Sequence, residues 1–177
     1  MPAPAGPCAA VLAELEQEAA ATRRLLERLP ADRLAWRPHR KSQSLGQLAL
    51  HVASIPGIVT GLMERDAVDV ATVDFKPAQP DGVASVRKAF EEALEGAKKA
   101  LSGWTEADLG STWRLVSGEK TVMALPKAAM LRSLVCNHLY HHRGQLTVYL
   151  RMLDVPLPSV YGPSADEQPF GDVPPAA

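Results

Sequence analysis

The chain has 177 residues, of which 46% are hydrophobic and only 5% are aromatic. This length suits one domain with a well-buried core and is too short for two comfortable domains. Because aromatic residues are few, leucine and alanine must fill most of the core, which favours helices over sheet. The formal net charge is −1, and no basic stripe or recognition motif occurs. We therefore expect neither nucleic acid nor an anionic membrane surface as a partner.

The sequence also favours a cytoplasmic location. Residues 1–7 lack the positive charges and the apolar run of a signal peptide. Two cysteines, Cys8 and Cys136, are too few for a disulfide framework. Residues 42–63 carry no charge, but glycine, proline and polar side chains interrupt them. We therefore expect this stretch to be a buried helix of a soluble protein rather than a membrane span.

Apolar residues three and four positions apart predict four long helices. The first stripe runs from Leu12 to Leu29 and stops before Pro30. The second helix is expected to start with a capping box, in which Ser44 and Gln47 satisfy backbone N–H groups reciprocally.

The third stripe runs from Val83 to Leu101, and Asp81 is its expected N-cap. The fourth helix is expected to begin near Pro126, and residues 105–125 before it contain two runs that predict a short hairpin. Four such stripes with no strong strand pattern predict an all-α four-helix bundle.

The whole chain, residues 1–177, is expected to form a single domain. Its core should span about residues 10–168. After Asp154 the sequence becomes rich in proline, and we expect the ends of the chain, above all the last few residues, to be disordered.

The fourth stripe is polar at three consecutive positions that should face the core, namely His138, His142 and Gln145. Burying such groups without partners costs roughly 1–3 kcal/mol each. His138 and His142 are four residues apart, so they lie on one helix face, where two imidazoles can share a metal ion. His51 lies on the packed side of the second helix and can complete a three-nitrogen site. Three protein ligands leave a position for water or substrate.

Other interpretations of these residues stay open. A core histidine is more often hydrogen-bonded than metal-bound. His141 can also share a metal with His138, three residues before it, but a supporting or surface role is favoured. Cys136 lies on nearly the opposite face and is expected to be a small buried hydrophobe. Gln145, one turn beyond His142, is placed to hold a ligand or a bound water.

Two motifs in this sequence resemble those of the DinB family of four-helix metalloproteins. They are Asn137-His138-Leu139-Tyr140-His141-His142-Arg143-Gly144-Gln145-Leu146 and, far upstream, Leu48-Ala49-Leu50-His51-Val52. The similarity extends to Trp36-Arg37-Pro38, Tyr149-Leu150-Arg151 and residues 158–167, and it covers about residues 10–168. The spacing of two histidines in the fourth helix with a distant third is fairly specific.

The resemblance implies a metal held by one histidine of the second helix and two, four apart, of the fourth. Those residues here are His51, His138 and His142. It also implies a homodimer and a mirror variant of the up-and-down bundle topology. A face of small residues on the second helix suits close contact in either the dimer or the core: Gly46, Ala49, Ala53, Gly57 and Gly61.

The resemblance also implies a chemistry, because characterised relatives include transferases and isomerases that use low-molecular-weight thiols such as bacillithiol or mycothiol. A divalent ion with an open position lowers the pKa of a bound thiol. The first hypothesis is therefore a metal-dependent thiol S-transferase acting on small electrophiles, with Zn, Ni, Cu, Fe or Mn as the metal. Arg37, Arg40 and Lys41 could attract an anionic thiol, although an ordinary solvated loop is the simpler interpretation.

Two alternatives to this function stay open. One is a metal-assisted hydrolase, for which the fourth helix offers no carboxylate as general base beside its histidines. Asp166 and Glu167 would then have to fold back over the site. The other is a metal- or small-molecule-binding stress protein without turnover.

Overall fold

Four long helical segments and a small sheet make up the part of the chain that the computed structural model describes, residues 6–74, 76 and 78–171. The helices are α1 (Ala9–Leu26), α2 (Leu45–Met63), α3 (Val83–Ser102), α4 (Glu106–Gly110), α5 (Lys127–Met130) and α6 (His138–Met152). A π-helical segment, Leu131–Asn137, joins α5 to α6, so that the three form the fourth long helical segment. The strands are β1 (Ala67–Asp69), β2 (Thr112–Ser117) and β3 (Lys120–Pro126).

The first three helices follow the predicted apolar stripes. Leu15 in α1 and Leu94 in α3 are each 1% exposed, and Leu45 in α2 is fully buried. The predicted capping box at the start of α2 is present: Gln47 N–H donates to Ser44 Oγ at 3.1 Å, and Ser44 N–H donates to Gln47 Oε1 at 3.0 Å. These bonds satisfy N–H groups that the first turn of a helix leaves without partners.

The N-cap predicted for α3 is wrong. The helix begins at Val83, and Gly82 rather than Asp81 occupies the cap position. Gly82 N–H donates to the Ser85 hydroxyl oxygen at 3.3 Å, and that hydroxyl donates to the Gly82 carbonyl at 2.7 Å. A side chain inside the first turn therefore binds the backbone of the cap residue, whereas a capping aspartate would accept from N–H groups within that turn.

Helix α2 packs closely against α3 through its face of small residues. Ala49 and Ala53 are fully buried. A Cβ atom built on Gly57 would lie 2.8 Å from the Ala93 Cα, which leaves no room for a side chain. The same test on Gly61 finds nothing within 4 Å. Most of this face therefore serves packing within the chain, and the predicted homodimer stays a prediction.

Helix α2 is also the one helix of the described residues that is long and apolar enough to cross a membrane, over Leu45–Met63. Half of that stretch is buried against the rest of the chain. Length and composition alone do not distinguish a membrane span from a core helix. The packing of α2 within the fold agrees with the expected buried helix of a globular domain.

The predicted all-α class is wrong in one respect, because the mostly helical chain contains a three-stranded sheet of order β1–β2–β3. Strands β2 and β3 form the antiparallel hairpin that the sequence predicts, and β1 adds to β2 in parallel. Trp113 in β2 is 2% exposed, and its Nε1–H donates to the Leu62 carbonyl at 3.1 Å. The sheet is thereby attached to the C-terminal end of α2.

The π-helical segment Leu131–Asn137 changes which face of the fourth helical segment is buried. Its wider i→i+5 turns rotate all the residues that follow, relative to a continuous α-helix. In α6, after this segment, the buried positions are Leu139, Arg143, Leu146 and Leu150. The expectation that His138, His142 and Gln145 face the core is therefore correct only in part: the two histidines are half-buried with their rings against His51 of α2, and Gln145 is exposed.

Ion pairs hold the segment that follows α6 against α1 and α6. Asp166 pairs with Arg151 of α6, and Glu167 pairs with Arg24 of α1. The Tyr161 hydroxyl donates to a carboxylate oxygen of Glu18 at 2.9 Å. The predicted disorder of the last few residues concerns residues 172–177, which lie outside the described part of the chain.

Candidate metal centre

Three histidines from two helices meet at one point. His51 lies on α2 between the buried residues Leu48 and Ile55, and His138 and His142 occupy the first two turns of α6. The Nε2 atom of His138 lies 3.3 Å from Nε2 of His51 and 2.9 Å from Nε2 of His142. One nitrogen of each ring lies within 4.8 Å of the others, which is close enough to hold a metal ion. The structure thus brings together the three histidines that the sequence predicts as metal ligands.

The rings meet edge to face rather than stacked. The interplanar angle is 67° between His51 and His138, 82° between His51 and His142, and 62° between His138 and His142. All three rings are half-buried. This arrangement brings one nitrogen of each ring to a common point without stacking the rings.

Burial keeps these imidazoles neutral at physiological pH. The pKa of His51 is lowered to about 4 by burial and, to a smaller extent, by the proximity of His142 and His138. Burial also lowers the pKa of His138. Burial lowers the pKa of His142 as well, although its hydrogen bond with Gln145 acts in the other direction. Neutral imidazole is the form that binds metal ions.

The hydrogen bonds around the cluster fit a bound cation. The Nδ1 atom of His142 lies 2.7 Å from Oε1 of Gln145. When Nδ1 donates to that oxygen, the lone pair is on Nε2, which faces the other two rings. Nδ1 of His138 is buried without a hydrogen-bond partner in the part of the chain that is described. Converging nitrogen lone pairs repel one another unless a cation is shared, so the donor set fits a divalent metal ion.

A cavity of about 370 Å³ adjoins the histidines. Helix α2, the π-helical segment and strands β2 and β3 contribute to its wall, which also includes His51, His138, Val73, Asp74, Lys76 and Ala78. Most of the wall is apolar, with these residues among others: Ile55, Ile58, Leu62, Trp113 and Leu134. A small molecule in the cavity would lie directly beside the point where the histidines converge.

Several other residues singled out from the sequence lie apart from this point. His141 is exposed and does not belong to the three-histidine cluster, although its ring centroid is 4.8 Å from that of His142. Cys136 is fully buried, and burial raises the pKa of its thiol, as expected of a small core residue. Asp166 and Glu167, candidates for a general base, form ion pairs with arginines instead.

The basic loop before α2 and the histidine within it are solvent-exposed. Arg37, His39, Arg40 and Lys41 all have exposed side chains. The Arg37 guanidinium donates to the Ser42 carbonyl at 3.4 Å, and His39 Nδ1 accepts from the Lys41 N–H at 3.2 Å. These contacts are those of a solvated loop, which is the simpler of the two interpretations given above.

Arg143 is a residue whose importance the sequence reasoning missed. Its side chain is 2% exposed and pairs with the Glu18 carboxylate of α1. The guanidinium also donates to the Thr22 hydroxyl at 3.2 Å and to the Tyr161 hydroxyl at 2.5 Å. Because Arg143 follows His142 directly, this network fixes the ligand-bearing turn of α6 against α1. A charged residue inside the motif was the available signal, since arginine is rarely buried unless it is paired.

The fold and the histidine cluster together define a mostly helical protein with a site able to hold a metal ion. The chain belongs to the DinB family, whose family model matches residues 1–170. The uncharacterized protein YrdA of Bacillus subtilis (strain 168) is 28% identical over 153 residues, which are 86% of each chain.

Two solved structures share the fold. A DinB-like protein from Bacillus cereus ATCC 10987 superimposes with a TM-score of 0.68 at 24% identity, over 85% of this chain and 95% of that one. The DinB-like protein YjoA of Bacillus subtilis superimposes with a TM-score of 0.66 at 17% identity, over 85% and 96% of the two chains. At these identities the two structures bear on the fold alone.

Proposed function

We propose that this DinB protein binds one divalent metal ion through His51, His138 and His142 and transfers a low-molecular-weight thiol to small electrophiles. The observation that carries the proposal is the convergence of three Nε2 atoms beside a cavity with mostly apolar walls. Three nitrogen ligands leave a coordination position for the thiol. The adjoining cavity offers a place for an apolar electrophile next to it.

The residues of the chain have distinct tasks in this proposal. A bound divalent ion with an open position lowers the pKa of a coordinated thiol, so that a thiolate is available at neutral pH. Gln145 holds the ring of His142 in the orientation that turns Nε2 toward the cluster. The apolar walls hold the electrophile beside the thiolate and exclude water that would compete with it. Zn, Ni, Cu, Fe and Mn all remain candidates for the metal.

Hydrolysis has less support than thiol transfer. Metal-assisted hydrolysis at neutral pH gains from a general base near the attacking water. Among the described residues of the cavity wall, the one carboxylate is that of Asp74, and it is exposed. Its Oδ1 accepts from the Lys76 N–H at 2.9 Å, a local turn interaction.

Metal analysis of purified protein tests the first half of the proposal. We expect about one equivalent of a divalent metal in the wild type, a large loss in His138→Ala, and no loss in His39→Ala, since His39 is an exposed loop histidine. Retention of the metal by His138→Ala would exclude the site.

A thiol panel tests the second half. Metal-loaded protein is incubated with 1-chloro-2,4-dinitrobenzene and, separately, glutathione, cysteine, bacillithiol or mycothiol. We expect thioether formation above the uncatalysed rate with at least one thiol, and the loss of this excess in His138→Ala. Product that forms without any thiol would instead support hydrolysis, and inertness with a tightly bound metal would support a non-catalytic protein.

A further inference from the structure

The hydroxyl of Ser54 is a polar group of the cavity wall that the proposed function does not use. Ser54 lies on α2, is half-buried and lines the cavity together with His51 and His138. It follows His51 by three residues, which places the two Cβ atoms about 5–6 Å apart on one helix face. The described residues provide no hydrogen-bond partner for its hydroxyl.

Ser54 differs in this respect from other hydroxyl residues inside the helices. Thr22, Thr60 and Ser102 each donate to the carbonyl four residues earlier, at 2.9, 2.7 and 2.7 Å. Such bonds are the usual way in which a helical hydroxyl is satisfied. The O–H of Ser54 is instead available to a molecule in the cavity.

We propose that the cavity binds apolar molecules that carry a carbonyl group, and that Ser54 donates a hydrogen bond to the carbonyl oxygen. The walls fit an apolar body, and a volume of about 370 Å³ is in the range of small-molecule sites. A single neutral donor fits a ketone, aldehyde or ester better than a carboxylate. Among the described residues of the lining, the one lysine or arginine is Lys76, and its side chain is exposed.

A carbonyl group on the ligand also indicates which class of electrophile would react, and this part of the inference rests on the proposed function. An α,β-unsaturated carbonyl compound would take the sulfur of the thiol at its β-carbon, forming a C–S bond. The electron pair of the C=C bond moves through the conjugated system to the carbonyl oxygen, where the hydrogen bond from Ser54 stabilises the developing negative charge. The proton that the thiol gave up returns through water to the α-carbon. The reaction is an addition, without a leaving group.

Equilibrium binding of a matched pair of ligands tests the proposal without any turnover. Propiophenone and propylbenzene differ in one carbonyl, and each is titrated into the metal-loaded protein under NMR observation. We expect the ketone to bind the wild type about fivefold more tightly than the hydrocarbon, since a neutral hydrogen bond contributes about 2- to 12-fold. Ser54→Ala should remove this preference by weakening ketone binding only, and Ser54→Thr should retain it.

Ser133→Ala is the matched control, because Ser133 is an exposed serine of the π-helical segment. It should bind both ligands as the wild type does. Equal binding of ketone and hydrocarbon to the wild type, an unchanged preference in Ser54→Ala, or no binding of either ligand would each overturn the proposal.

A kinetic comparison separates this inference from the proposed function. Phenyl vinyl ketone and benzyl chloride are offered with an active thiol, and Ser54→Ala should lower kcat about fivefold or more for the ketone only. Ketone-selective binding with no thiol adduct would overturn the proposed function and leave the binding site in place. Adducts that form equally fast in Ser54→Ala would overturn the role of Ser54 and leave the proposed function in place.

Discussion

Oε1 of Gln145 lies 2.7 Å from Nδ1 of His142, on the side of the ring away from the histidine cluster. The contact is possible because Gln145 follows His142 by three residues on the same helix. It fixes both the orientation and the tautomer of the ring, because a donating Nδ1 leaves the lone pair on Nε2.

We expect Gln145→Ala to weaken metal binding by about 10- to 100-fold, the usual loss when a partner of a ligating histidine is removed. Gln145→Glu keeps an acceptor at the same distance and should restore most of the affinity. The dissociation constant is measured by competition with a chromogenic chelator. Gln17→Ala, an exposed glutamine of α1, should leave it unchanged. Equal affinities in Gln145→Ala and the wild type would contradict this role.

His141 provides a second test of the ligand assignment, because it is an exposed neighbour of the cluster. We expect His141→Ala to retain the metal stoichiometry of the wild type, since the ring lies outside the group of three nitrogens that converge. His142→Ala should lose the metal. Metal analysis after extensive dialysis measures both, and a loss in the two variants alike would show that His141 is also a ligand.

Much of the fold could be predicted because its signals are local. The stripe of α1, the capping box at Ser44 and the hairpin of β2 and β3 depend on residues a few positions apart, whose periodicity and hydrogen-bonding groups are visible in the sequence. The three histidines could be found for a related reason. His138 and His142 share a helix turn, and His51 interrupts an otherwise apolar face of α2.

The parts that could not be predicted depend on long-range or subtle backbone effects. β1 has three residues, too few for an alternating pattern, and it forms through its pairing with β2 far along the chain. The π-helical segment has no strong residue signature, yet it decides that Arg143 rather than His142 faces the core. The partner of Arg143 is Glu18, which lies 125 residues earlier.

The close approach of α2 to α3 gives a pair of matched glycine substitutions. Gly57→Ala would place its Cβ 2.8 Å from the Ala93 Cα, so the helices must separate, and we expect a loss of about 1–3 kcal/mol in the free energy of unfolding. In Gly61→Ala the new Cβ meets no atom within 4 Å, so we expect the higher helix propensity of alanine to raise the free energy of unfolding by about 0.5–1 kcal/mol. Urea denaturation measures both. A loss of stability in Gly61→Ala would indicate that this face has a further partner.

The ion pair of Arg143 with Glu18 is buried, so removing one partner leaves the charge of the other buried without a partner. We expect Arg143→Ala to lower the free energy of unfolding by about 3–5 kcal/mol. The double variant Arg143→Leu with Glu18→Leu should recover much of that loss, since neither charge remains to be desolvated. Arg151→Ala, which breaks the exposed pair with Asp166, should lower the free energy of unfolding far less than Arg143→Ala does, because water and salt screen the exposed pair. Equal losses at the two arginines would contradict the assigned role of burial.

The carboxylate of Glu14 makes the stability of the chain depend on pH. Both terminal nitrogens of Arg132 donate to it at 2.6 Å, and the Tyr140 hydroxyl donates at 2.5 Å. The hydrogen bonds from Arg132, with a smaller contribution from Tyr140, lower the pKa of Glu14 below its ordinary value of 4.5, although burial opposes them. A carboxyl group whose pKa is lower in the folded state stabilises the fold above the unfolded pKa and loses that effect as the pH falls through the folded one.

Glu14→Gln removes this titration, so the free-energy difference between wild type and variant should be largest near pH 7 and shrink as the pH falls below about 4.5. Urea denaturation at a series of pH values measures it. Glu119→Gln, in the exposed turn between β2 and β3, is the control and should differ little from the wild type at any pH. A difference for Glu14→Gln that stays constant from neutral to acid pH would mean that the pKa of Glu14 is the same in the folded and unfolded chains. In that case the contacts with Arg132 and Tyr140 do not stabilise the charged form, and the link that they make between α1 and the fourth helical segment rests on packing alone.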